Sequence, residues 1–261
     1  MHMNMVEKLP AFWRDRIQAC AIHLVISLAI AALSALLVFG VWYPYPYREI
    51  SGGRELFLLL VTVDVILGPL ITLTVFDRAK PWRELRRDLM VVAAVQLAAL
   101  GYGLWTVSVA RPVHLVFEID RFRIVHAIDV MPDLLDKTPV GVQALPLTGP
   151  TLLSVRDFKD TQEQMDMTLA ALQGVPLGTR PDLWQPYVHA VPKILKVAKP
   201  VSALKQRFPD QIAPIDAVAQ SAGRSAQSLL FLPMNGRKSF WTVFLDPVTA
   251  EVVGFLPLDS F

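Results

Sequence analysis

Cysteine is almost missing from this chain: Cys20 is the only one among 261 residues. No internal disulfide can form, and paired-cysteine metal sites and Cys-x-x-Cys redox centres are excluded. Charge is also scarce. Asp, Glu, Lys and Arg make up 18% of the residues, against about 25% in an average soluble chain. The formal net charge is +2 and the basic residues do not gather on one face, which argues against a nucleic-acid partner. There is no His-Glu-x-x-His, no G-x-S-x-G elbow and no phosphate-cradling glycine loop. The sequence therefore assigns no catalytic residue, no metal site and no cofactor. It contains no internal repeat and no low-complexity tract.

What is present is apolar surface, 53% of residues, gathered into three blocks. From Ile17 to Val41 no residue is charged. The block from Leu56 to Phe76 is interrupted by Asp64, and the block from Leu89 to Ala110 has Gln96 as its most polar member. Crossing ~30 Å of hydrocarbon takes about 20 helical residues, so each block is long enough to span a membrane. Charge clusters bracket all three, which disfavours buried core helices. Transmembrane helices are predicted at about 17–41, 56–76 and 89–110. The first block is longer than a signal-peptide core of roughly 7–15 residues and leads into aromatic residues rather than a small-residue cleavage site. It reads as a retained helix, with Cys20 a small packing residue in it or, less in keeping with the run, a palmitoylation site.

Lys and Arg in the flanks set the expected orientation. Lys8, Arg14 and Arg16 precede the first helix, and Arg78, Lys80, Arg83, Arg86 and Arg87 lie in or beside the second connection. The first connection has only Arg48 and Arg54, each followed by a glutamate. The N-terminus and second connection are thus expected in the cytoplasm, with the first connection and residues 113–261 outside. Trp42, Tyr43, Tyr45 and Tyr47 fall where an outer aromatic belt belongs. Pro44 and Pro46 are expected to hold that segment extended, before Ser51-Gly52-Gly53 turns the chain into the second helix.

The division predicted is a membrane domain over 1–112 and a soluble α+β domain with an antiparallel sheet over 113–261. Val113–Ile119 and Phe122–Ile128 read as a hairpin. Asp157–Gln173 reads as a helix stopped at Gly174, and short helices are expected at Val201–Phe208 and Pro214–Ala222. The stretch from Pro176 to Pro200 is punctuated by proline and reads as irregular. Ser228–Leu232, Phe240–Leu245 and Glu251–Leu256 read as three strands of an antiparallel meander, joined at Asn235-Gly236 and Asp246-Pro247.

Few side chains carry a hint of chemistry. His114 and Glu118 share one strand face, and read as a surface pair rather than two ligands of a metal site that needs three or four. Nothing in the spacing of His126, Asp129 and His189 requires them to meet. Asp64 is sharper, because an ionisable group in a membrane helix costs at least ~2.5–3.5 kcal/mol and marks function by default. It either fixes packing within the bundle or meets a polar group on a partner helix. Gly68-Pro69, one turn on, loosens the backbone and frees carbonyls for such contacts. Counted at 1.5 Å per residue, Asp64 lies roughly 8 Å from the level of His23 and Gln96.

Several of these segments together resemble a known family. Trp42-Tyr43-Pro44-Tyr45-Pro46-Tyr47, Ser51-Gly52-Gly53-Arg54-Glu55-Leu56-Phe57, Val63-Asp64-Val65-Ile66-Leu67-Gly68-Pro69-Leu70 and Arg83-Glu84-Leu85-Arg86-Arg87-Asp88-Leu89 are similar to type IV pilin accessory proteins of the TfpX/TfpZ kind. The resemblance is dense over the membrane half, down to Arg111-Pro112, and thinner beyond. It implies an inner-membrane protein of a Gram-negative bacterium with a periplasmic C-terminal domain. It also implies an accessory or chaperone-like role toward a type IV pilin subunit, alongside other pilus assembly proteins, with no enzymatic activity. A pilin helix carries an acid about one turn in, roughly 6 Å deep, nearer the His23 and Gln96 level than Asp64. His23 and Gln96 are therefore expected to meet that acid, while Asp64 holds the bundle together. Two other readings stay open: a membrane-anchored sensor with a ligand-binding outer domain, and an intramembrane enzyme using Asp64.

Overall fold

The computed structural model describes residues 10–261; Lys8, counted above for orientation, lies outside the described residues. The chain forms two compact units. A helical unit comprises the chain up to Gly40 together with Gly53–Ser108, and a sheet unit comprises Val41–Gly52 and Val109–Phe261. The first connection between spans is thus part of the sheet unit, which a single boundary at residue 112 does not anticipate.

The helices of the first half are α1 (Ala11–Leu37), α2 (Tyr47–Ile50), α3 (Gly53–Thr62), α4 (Gly68–Val75) and α5 (Trp82–Val109). α1 follows Pro10 and α5 follows Pro81; proline suits a helix start, where backbone N–H groups lack intrahelical partners anyway. A π-helical turn at Val38–Trp42 extends α1, and another at Val63–Leu67 joins α3 to α4. The second has a local cause. Pro69 has no N–H to give, and its ring crowds the carbonyl four residues earlier, so the ladder opens by one residue. Three stretches are long and apolar enough to cross a membrane: Trp13–Trp42, Gly53–Val75 and Trp82–Val109. They overlap the three predicted helices. α1 packs along α4, and Phe39 meets Phe57 edge-on with ring centroids 4.9 Å apart. At one end Arg16 pairs with Asp77 at 3.6 Å and Arg78 with Asp15 at 3.4 Å, which ties the start of α1 to the end of the second span. α5 is loosely held: only Leu85 and Val107 are buried in it.

The sheet unit contains β1 (Pro112–Phe117), β2 (Phe122–His126), β3 (Thr151–Val155), α6 (Thr161–Leu172), β4 (Trp184–Pro186), α7 (Val191–Val197), β5 (Lys199–Pro200), α8 (Val201–Arg207), α9 (Ile212–Ser221), β6 (Leu230–Asn235), β7 (Phe240–Leu245) and β8 (Val252–Leu256). The strands lie in the order β4-β3-β1-β2-β6-β7-β8, with β5 also paired to β6. The predicted hairpin is β1–β2, closed by Glu118 N–H donating to Arg121 O at 2.9 Å. The predicted meander is β6–β7–β8. The sheet as a whole is mixed rather than antiparallel throughout, because β1 pairs parallel with β3 and β2 with β6. α6 begins where Asp160 accepts the Glu163 N–H at 2.7 Å. It stops at Gly174, whose φ of 90° only glycine adopts readily.

Both faces of the sheet are covered, so β1 is buried along its whole length and shows no polar alternation. Leu115 and Phe117 pack with Phe122, Ile124, Met234 and Trp241. Val113 and Val116 face the other way, onto Val125, Leu153 and Trp184. Leu204 of α8 and Ile215 of α9 pack with Phe231 and Phe244 in a third cluster.

The connection Val41–Gly52 enters this core. Ile50 and Tyr43 are fully buried, Ile50 within the cluster of Phe117 and Met234. Tyr47 stacks edge-on against Phe255 at 5.6 Å, and the carbonyl of Val41 accepts the Gly149 N–H at 2.9 Å. A Cβ at Gly236 would lie 2.7 Å from the Ser239 carbonyl and 2.9 Å from Ile50 Cγ2, so glycine makes room for this insertion. Burial raises the Tyr43 hydroxyl pKa and pushes that of Tyr47 up to about 12. Tyr43 and Tyr47 are thus core residues, not members of an exposed aromatic belt; of the three tyrosines only Tyr45 is largely exposed. Nor does the segment run extended. It turns at Tyr45–Pro46, across a cis bond, and enters α2.

Candidate functional site

The helical unit encloses a cavity of about 490 Å³ between its three spans, with apolar walls. Five polar side chains reach it: His23 and Ser27 from α1, Asp64 from the π turn, Thr72 from α4 and Gln96 from α5. His23 Nδ1 and Thr72 Oγ1 are hydrogen-bonded, 2.5 Å apart, which links α1 to α4. Gln96 Nε2 donates to the backbone carbonyl of Asp64 at 3.4 Å, linking α5 to the opened turn. Gly68 is what lets the amide in. A Cβ there would lie 1.7 Å from Gln96 Nε2, so the Gln96 side chain occupies the space that glycine leaves. The carboxyl of Asp64, by contrast, makes no hydrogen bond or ion pair among the described residues.

Depth counting from the apolar blocks separates Asp64 and Gln96 by roughly 8 Å. The structure joins them. α5 begins at Trp82, well before the apolar run at Leu89, so Gln96 lies roughly 21 Å along the helix at 1.5 Å per residue, and its long side chain reaches the carbonyl of Asp64. The interfacial residues of the first connection do not join this cavity; they belong to the sheet unit with Ser51 and Gly52, while Gly53 opens α3.

In the sheet unit, His114 and Glu118 are buried rather than a surface pair. His114 Nε2 donates to the Ala144 carbonyl at 2.9 Å and Nδ1 accepts from the Thr151 hydroxyl at 2.6 Å. Its ring also meets Trp184 edge-on at 4.5 Å. Burial pushes the His114 pKa down to about 4, although the bond to Ala144 opposes this. Glu118 accepts from Arg123 Nε at 2.8 Å and from the Gly178 N–H at 3.0 Å. Each therefore has a structural partner set of its own. His126 and Asp129 do meet, at 2.9 Å between Nδ1 and Oδ2, while His189 is exposed on a separate turn. Among the described residues no three His, Cys, Asp or Glu side chains are grouped to hold a metal ion.

Comparisons with known proteins point to one family. The family model described as fimbrial assembly protein FimB matches residues 11–52, from the first span to the end of the connection buried in the sheet unit. The fimbrial assembly protein of serogroup I from Dichelobacter nodosus is 37% identical over 243 residues, covering 92% of this chain and 94% of its own. That of serogroup E1 from the same organism is 34% identical over 242 residues, with the same coverage. The protein of serogroups C1 and C2 is 42% identical over 118 residues, which are 45% of this chain and 88% of its own. No solved structure matches. With more than a third of its residues shared over nearly its full length, the chain belongs to the fimbrial assembly proteins, an accessory family of type IV pilus biogenesis.

Proposed function

We propose that the protein is a chaperone-like accessory factor of the bacterial inner membrane that binds a type IV pilin subunit and supports its assembly, without catalysing a reaction. The observation that carries this reading is the cavity of the helical unit, whose apolar walls suit the side chains of a partner helix and which holds an aspartate whose carboxyl has no partner among the described residues. A pilin awaiting assembly offers a membrane helix and an outer head. The helical unit meets the first and the sheet unit the second. Two weak contacts linked in one molecule reinforce each other through effective concentration, while each stays weak enough to release the subunit.

Residue depth alone gives the pilin contact to His23 and Gln96 and internal packing to Asp64. The hydrogen bonds support the converse emphasis. His23 and Gln96 each spend one bond on holding spans together, and the Asp64 carboxyl is the group left to recognise a donor on the partner. Single substitutions His23→Leu, Gln96→Leu and Asp64→Asn separate the roles, with membrane abundance, heat resistance and pilin cross-linking in native membranes as readouts. Asp64→Asn is expected to keep its abundance and lose roughly 3-fold in cross-linking, the equivalent of an average membrane hydrogen bond of ~0.6 kcal/mol. The other two are expected to lower heat resistance first. Capture of a signalling protein in place of pilin would overturn the reading in favour of a sensor.

The proposed orientation has the N-terminus in the cytoplasm and the sheet unit in the periplasm, from the basic bias of the flanks. A reporter active only in the periplasm is expected to work when fused after Phe261 and to stay silent when fused near Trp82. The opposite pattern would reverse the topology.

A further inference from the structure

The sheet unit has a cavity of its own, about 430 Å³, where the end of β2 meets the turn after α6 and the β6–β7 turn. Arg123, His126, Asp129 and Arg237 all line it. Three of the four are already engaged, one with a residue outside the cavity and two with each other. Arg123 is neutralised by Glu118. Asp129 Oδ2 accepts both His126 Nδ1–H and the His126 backbone N–H, at 2.9 and 3.2 Å. Holding the proton on Nδ1 makes Nε2 the acceptor nitrogen of the neutral ring. That atom is buried without a hydrogen-bond partner among the described residues, in a residue only 2% exposed; native proteins rarely leave such atoms unpaired.

Arg237 completes the arrangement. Its guanidinium forms no ion pair among the described residues. It is near enough to favour the ionised form of Asp129, whose pKa burial would raise but which the hydrogen bonds from His126 and the charge of Arg237 bring below the usual carboxylate range. The two opposite charges therefore face one cavity without closing on each other.

We propose that this cavity binds a ligand combining a carboxylate with a hydrogen-bond donor a few ångströms away, the chemistry of a free amino acid or of a peptide's C-terminal residue. The carboxylate lies on Arg237, bidentate as guanidinium geometry favours, and the ammonium or amide N–H turns to the His126–Asp129 pair. The charge pattern selects this over a bare oxyanion. Asp129 repels an anion that brings no donor, whereas a zwitterion or chain terminus satisfies both ends. The proposal rests on the sheet unit alone and is independent of what occupies the helical unit.

The test uses the full-length protein in nanodiscs of zwitterionic lipid, with thermal unfolding and the ring 15N resonances of His126 as readouts. The probes are alanine, N-acetyl-dialanine, the same peptide amidated at its C-terminus, and inorganic phosphate. A saturable rise in Tm and a shift of the His126 Nε2 resonance are expected with alanine or with N-acetyl-dialanine. A response to the first identifies a free amino acid as the source, and to the second a chain terminus. Arg237→Gln, at an exposed position, is expected to keep the fold and weaken the response at least tenfold. Three outcomes would overturn the proposal: no saturable response to either acid, equal binding of the amidated peptide or of phosphate, or an Arg237→Gln protein that responds like the native one.

Discussion

Replacing Ile50 by alanine is expected to destabilise the sheet unit by about 2–5 kcal/mol, the range for emptying a fully buried Ile site. Ile50 sits in the short connection between two membrane spans, where a substitution would ordinarily change stability by less than ~0.5 kcal/mol. Here it is fully buried among Phe117, Phe122 and Met234, and the walls around it are stiff. The space beside it is already reduced to what Gly236 leaves, so the core cannot collapse inward without moving the β6–β7 turn. Hydrogen exchange of the β6–β7 backbone in the full-length protein measures the loss. Tyr45→Ala, in the same connection but 74% exposed, serves as the control and is expected to exchange as the native protein does. Equal exchange in the two variants would show that the connection does not belong to the core.

Acidification from pH 6.5 toward 4 is expected to remove roughly 3 kcal/mol from the same unit through one residue. His114 is buried and neutral, and its pKa falls from 6.5 to about 4 because burial penalises the cation. The unfolded chain takes up the proton at higher pH than the folded one. The stability that the neutral ring contributes is therefore fully present above 6.5, declines as pH falls through the interval, and is gone below about 4. Carboxylates with depressed pKa values, such as Glu163 held near 2 by Arg156, begin to contribute only below about 4.5, so the upper part of the interval isolates the histidine. Denaturant unfolding at a series of pH values measures the slope. His114→Gln retains a donor and an acceptor for Ala144 and Thr151 and is expected to flatten it between 6.5 and 4.5. An unchanged slope in that variant would place the proton elsewhere.

The sequence makes some of this legible and hides the rest for identifiable reasons. The three spans declare themselves because hydrocarbon tolerates little but apolar side chains over about 20 residues. The hairpin β1–β2 and the meander β6–β8 follow from β-rich runs and turn chemistry between them. β4 and β5 do not, since strands of two or three residues that carry proline have no period to detect, and β3 (Thr151–Val155) shows no apolar–polar alternation. The parallel pairings are settled by the whole fold and leave no local mark. In the helical unit, composition singles out His23, Asp64 and Gln96, and the structure gathers all three around one cavity. Their partners could not be foreseen from depth, because α5 starts before its apolar run and the π turn at Val63–Leu67 re-aims the carbonyl of Asp64. The pairing of His126 with Asp129 is short-range, three residues apart. Arg237, far along the chain, carries no signal that would place it beside them.

The passage of Val41–Gly52 into the sheet unit also governs how relatives in this family can be recombined. A compact unit assembled from two separate stretches of chain cannot be exchanged at one junction. Joining this chain to a relative near residue 113 would part its strands from the plug of Tyr43, Tyr47 and Ile50, which is shaped to the turn at Gly236. An intact transplant needs three junctions, before Val41, after Gly52 and before Val109. The two stretches are in effect one heritable cassette interrupted by a pair of membrane crossings, and a change that improves one half is judged by selection only in the company of the other.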